Sequence, residues 1–132
     1  MKITLNSYTL AGGKANNELP SHFSIRGKRQ IQILQAIRAQ AVQTINRGNL
    51  QTQITFVVGR RHKSQQEAER YALTHASSLM QAGGTLCIEL EDKGQRSFQL
   101  DNASLENIDV RYHGNASYTT YNILGGLLHE KN

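Results

Sequence analysis

Residues 64–82 read SQQEAERYALTHASSLMQA, and this stretch decides how the rest of the chain is understood. Ser64 is a favourable helix N-cap, and Glu67 follows at capping-box spacing. Ala68, Tyr71, Ala72, His75 and Leu79 recur at i, i+3, i+4, i+7 and i+11, which places them on one stripe of an amphipathic helix. Gly83-Gly84 follow at once and offer a left-handed conformation to end it. The pattern predicts a helix over about residues 65–81, packed through that stripe. It is the clearest regular element in the chain, and most of what surrounds it reads as strand.

On the N-terminal side, QTQITFVVGR (51–60) alternates Ile54, Phe56 and Val58 against Gln53, Thr55 and Val57, a strand with one apolar face. Residues 28–47 fit two templates. Ile33, Ile37 and Ala41 make a helical stripe, while Ile31 and Ile33 alternate as in a strand; composition leans helical. The segment ends at Asn46-Arg47-Gly48-Asn49, which reads as a turn. Further back, residues 21–26 form a short strand closed by Gly27, AGGKANNELP (11–20) a surface loop, and the segment from Lys2 begins as a strand.

Beyond the helix, Leu86, Ile88 and Leu90 alternate inward. Asp92-Lys93-Gly94 is a hairpin turn, and Ser97–Leu100 returns. Asp101-Asn102 breaks the pattern. Residues 104–113 and 116–124 then form two more strands around Gly114-Asn115, with Ile108, Val110 and Tyr112 sharing a face. Gly125-Gly126 closes the last strand and LLHEKN (127–132) reads as a flexible tail. No repeat or linker divides the chain, so a single β-rich domain is expected over residues 1–126.

Bulk properties exclude more than they identify. The chain has 132 residues, 38% of them hydrophobic, and no Trp, so its core is adequate and neighbouring subunits are expected to add stability. The lone Cys87 forms no internal disulfide. Met1-Lys2 leads into ITLNSYTL without an apolar h-region, so no signal peptide is expected, and no apolar run is long enough to suggest membrane contact. Charge is divided unevenly: residues 1–63 carry a net +9, residues 64–132 a net −4. That asymmetry suits nucleic-acid contact or head-to-tail association of copies, unless folding intermixes the charges.

No reaction is nominated. His22, His62, His75, His113 and His129 lie at no metal-ligand spacing, and His75 reads as a hydrogen-bonded packing residue. Cys87 has no basic neighbour in sequence to activate it. Glu89, Glu91 and Asp92 read as solvated strand-end charge rather than an acid–base pair. Gly83-Gly84 follows a helix, the wrong end for phosphate. The chain is therefore expected to be neither an enzyme nor a cofactor or metal protein. The candidate interaction patch is Arg60-Arg61-His62-Lys63, beside the helix N-terminus where backbone N–H groups attract anions.

The order of elements resembles the tail-tube fold of phage tube, tail-terminator and distal-tail proteins. The likeness is carried by QAIRAQAVQTINRGNLQTQITFVV (35–58), EAERYALTHASSL (67–79) and the run 84–126, within which Ala103, Leu105, Glu106, Ile108 and Gly125-Gly126 match the family's later strands. The resemblance implies two antiparallel sheets forming a sandwich or barrel with one flanking helix, and an extended reading of residues 35–46. It also implies a structural protein without an active site that assembles with itself, usually as a ring, and with other tail proteins. Such a protein would be cytoplasmic before assembly and part of a virion or phage-like particle afterwards. The alternatives from the residues alone are a nucleic-acid-binding module built on the basic N-terminal half, and a small enzyme or ligand-binding barrel.

Overall fold

The computed structural model describes residues 1–12, 20–35, 42–90, 94 and 96–131, the stretches 28–35 and 42–50 through their backbone alone. Residues 13–19 of the expected loop, residues 36–41, and Asp92-Lys93 of the expected turn lie outside the described residues. Eight strands and one helix follow in order: β1 (Lys2–Leu5), β2 (Tyr8–Ala11), β3 (Pro20–Gln35), β4 (Val42–Arg61), α1 (Gln65–Leu79), β5 (Gly83–Glu89), β6 (Ser97–His113), β7 (Ala116–Gly125) and β8 (Leu128–Lys131). Residues 28–35 are strand, and the extended reading of 35–46 holds at residue 35 and over 42–46, against a helical composition. Strand pairing overrides propensity there, as tertiary context often does.

The protein is mostly β with one helix and is sandwich-like rather than a closed barrel. Hydrogen bonds join the strands into one antiparallel sheet in the order β2-β1-β5-β6-β7-β4-β3, with β8 on β6. The two layers expected as separate sheets are thus continuous, and β6 carries the continuity. Its first residues pair with β5 and β8, with Leu100 opposite both Leu86 and Leu128. From Ser104 onward it pairs with β7, ending at His113 opposite Ala116. Between these halves Asn102 adopts φ 51°. A strand that bends in this way can pass from one layer of a sandwich to the other.

The partner strand turns at the same level. Gly125 leaves room for Leu100, since a Cβ there would lie 2.5 Å from Leu100 Cγ. Gly126 N donates to Asp101 O at 2.8 Å, and Thr52 Oγ1 to Gly126 O at 2.9 Å. The expected break at Asp101-Asn102 is therefore a bend within one strand. The expected tail at 127–132 is corrected as well: residues 128–131 continue past the glycines as β8 and pair with Ser97–Leu100.

Three further sequence expectations change. Residues 2–11 form a hairpin, β1–β2, about Asn6 at φ 52°. Asn46–Asn49 is an irregularity inside β4, because the register jumps from Arg29↔Leu50 to Ile31↔Asn46, leaving two extra residues on β4. Finally, Gly83-Gly84 do not end α1, which stops at Leu79 with Met80 still in the right-handed region. They open β5, where Gly84 takes φ 135° and a Cβ would collide with the Asn6 side chain. Asn6 in turn donates to Gly83 O and accepts from Thr85 N, fastening the first hairpin to β5.

One apolar cluster lies between the layers. It joins Ile3, Leu5 and Leu10 from β1–β2, Ile54, Phe56 and Val58 from β4, Leu86 and Ile88 from β5, and Tyr121 and Ile123 from β7. Leu79 adds the end of α1 to it. Among the described residues no helix is long and apolar enough to cross a membrane.

Candidate functional site

The residues singled out by sequence converge on one place, the groove between α1 and the ends of β4 and β7. β4 buries every second residue: Thr52, Ile54, Phe56, Val58 and then Arg60. Arg60 continues the inward alternation and is only 6% exposed. Its Nη2 donates to Leu10 O at 2.6 Å and to Tyr121 Oη at 3.1 Å, and Nη1 donates to Thr119 Oγ1 at 3.2 Å. Its guanidinium carbon stands 5.1 Å from the centre of the Tyr71 ring, a cation–π contact. Arg60 is thus a buried brace between β2, β4, β7 and α1, and its expected place in an exposed patch is corrected.

The neighbouring residues divide. Arg61 and Lys63 are exposed, as a binding patch requires. His62 is half-buried: its Nε2 lies 2.7 Å from Ser117 Oγ and its ring 4.9 Å from that of Tyr71. Glu67 N donates to Ser64 Oγ at 3.2 Å, as expected of the N-cap, whereas the Glu67 carboxylate accepts from Lys63 N rather than from the cap residue itself.

The helix stripe falls where its spacing placed it. Ala68, Ala72 and Leu79 are buried, and Tyr71 and His75 are half-buried beneath the helix. Tyr71 stacks on His75 with ring centres 4.8 Å apart, and His75 meets Tyr121 edge-on at 5.7 Å. Tyr121 continues to Phe56 at 5.0 Å, and Phe56 to Phe23 at 5.8 Å. A chain of rings therefore runs from β3 through β4 and β7 to α1.

His75 Nε2 is hydrogen-bonded to Tyr121 Oη. A neutral imidazole accepting at Nε2 can take the tyrosine hydrogen while Arg60 donates to the same oxygen, and we assign the pair so, with the imidazole hydrogen on Nδ1. Burial, and secondarily the Arg60 charge, lowers the His75 pKa to about 4. His75 is therefore neutral near pH 7, which leaves Nε2 able to accept the tyrosine hydrogen.

Tyr121 and Thr119 were not singled out by sequence. The signal was present, since both share the inward parity of Ile123 on β7 and pair with Phe56 and Val58. The arrangement ties α1 to β4 and β7, and each buried side-chain polar atom among the described residues has a hydrogen-bond partner. No described group of three or more His, Cys, Asp or Glu is disposed to hold a metal.

No family model and no curated protein matches the chain. Among solved structures, a chain from the virion of a native gene transfer agent particle aligns over 92% of this chain and 100% of its own, at TM-score 0.48 and 10% identity. A chain from the anti-feeding prophage cap, a tube-terminating cap, aligns over 99% of this chain and 87% of its own, at TM-score 0.47 and 10% identity. Overlap at this level carries no functional argument.

Proposed function

We propose that this protein is a structural component of a phage, prophage or phage-like tail (tube, terminator or distal tail) and works by ring-forming self-association. The observation that carries the reading is the open sheet. Its path ends on one side at β3, a strand of 16 residues with a single neighbour among those described. β2 ends the other side. An unpaired edge of that length presents backbone donors and acceptors to a second copy. The family resemblance carried by residues 35–58, 67–79 and 84–126 supports the same reading.

Head-to-tail contact of unlike edges closes into a ring when the rotation per copy allows. The exposed Arg61 and Lys63, at the junction of β4 and α1, supply a positive contact for the acidic second half of a neighbour. The other tail proteins are partners on the same grounds. The site is a set of contacts, and no reaction is assigned to it.

Electron microscopy of the purified protein tests this reading. Rings of uniform diameter are expected, and Arg61→Glu with Lys63→Glu should reduce their number while the circular dichroism spectrum stays unchanged. A field of single small particles at high protein concentration would overturn it.

A further inference from the structure

β3 and β4 extend past the rest of the sheet. β4 pairs with β7 only as far as Thr52, opposite Gly125. From Lys28↔Gln51 to Gln35↔Val42 the two strands pair with each other alone among the described residues. A two-stranded ribbon without a covering layer is marginal in water unless something binds it.

Its composition indicates what that partner is. No acidic residue occurs between Glu18 and Glu67, while Arg26, Lys28, Arg29 and Arg47 fall on or beside the ribbon. Amide side chains are interleaved with them, Gln30 and Gln32 on β3 and Gln51 and Gln53 on β4. At the ribbon's root Arg26, Gly27, Gln51 and Gln53 line an open cleft of about 540 Å³. Gln53 Nε2 donates to Asn122 Oδ1 at 2.7 Å, which fixes one wall. Arg26 pairs with Gln53 and Lys28 with Gln51, so the register places both positions on the same face of the ribbon as these glutamines. Glu106 and Leu124 complete the lining, and Glu106 limits the positive surface toward β6.

We propose that this ribbon is a binding surface for double-stranded DNA. The major groove admits a two-stranded β-ribbon, Lys and Arg neutralise phosphates, and glutamine amides hydrogen-bond to phosphate and base edges. The ribbon lies apart from Arg60, which is committed to the interior; DNA would contact the ribbon's face, whereas the outer backbone edge of β3 is the part offered to a second copy.

The test is fluorescence anisotropy of the full-length protein with a labelled duplex of mixed sequence, titrated across a salt series. The two cations that share a face, Arg26 and Lys28, predict a log–log salt slope of about −1.8. Arg26→Glu with Lys28→Glu should weaken binding by tenfold or more and make the slope less steep by about 2. The milder Arg26→Gln with Lys28→Gln should weaken it in the same direction, with an unchanged circular dichroism spectrum. Arg70→Glu with Lys131→Glu removes the same charge from α1 and β8 and should leave binding within about twofold. Absence of duplex binding, or equal loss in the ribbon and control variants, overturns the proposal. So does loss of self-association in the glutamine variant, because the face would then be a protein contact.

Discussion

Arg60 and His75 show how far one side chain's surroundings decide its role. Arg60 belongs by charge to a run of four basic or imidazole residues, yet by parity it belongs to Thr52, Ile54, Phe56 and Val58. Parity prevails, because a strand cannot turn one residue outward without a bulge. Replacing Arg60 with Met would leave Leu10 O, Thr119 and Tyr121 without this donor, at an expected cost of about 2–4 kcal/mol in chemical denaturation. Arg61→Met, at an exposed position, should shift stability by less than about 0.5 kcal/mol.

His75 has its pKa lowered from 6.5 to about 4 in the folded protein. Between those values the unfolded chain binds the extra proton, so stability falls as pH drops from about 6.5 towards 4 and this contribution is constant above that window. After discounting for solvent screening at its partly exposed edge, the loss is about 1–3 kcal/mol. The check is the difference in denaturation midpoint between pH 7 and pH 4.5, which should be smaller in His75→Gln than in the parent.

At the scale of elements, the legible ones were those whose apolar period runs unbroken. The 3.6-residue stripe of α1 and the alternation in β4 and β5 located the buried face correctly. What was missed lies at bends. Asn6-Ser7 lacks the Asn-Gly signature of a tight hairpin, so β1 and β2 read as one strand. Asp101-Asn102 has the composition of a breaker, but Asn tolerates the left-handed region, and β6 passes through it without ending. LLHEKN is too short to show a period, and only its pairing with Ser97–Leu100 makes it a strand. The groove beneath α1 was half legible: its helix stripe followed from spacing, whereas Arg60 and Tyr121 became visible only when β4 and β7 were aligned. Two substitutions test the packing. Leu79→Ala should cost about 2–5 kcal/mol, the usual loss at a filled core site. Gly84→Ala should cost about 1–3 kcal/mol, since φ 135° and the Asn6 side chain both exclude a Cβ.

At the scale of the molecule, the division of charge in sequence persists in part as a division in space. The basic first half supplies the β3–β4 ribbon and the exposed Arg61 and Lys63, while the acidic second half supplies β6, with Glu106 and Asp109 exposed. Bending β6 joins two layers without closing them, which leaves edges available to another copy. Surface charge contacts of this kind weaken as salt screens them, whereas backbone pairing at an edge is less sensitive. Raising ionic strength should therefore loosen rings without abolishing them if both contacts contribute. The most direct test of the central claim is the native mass of the purified protein across a concentration series. One dominant species with the mass of three or more 14.7 kDa chains is expected. A species of 14.7 kDa alone, up to the highest concentration attainable, would contradict it.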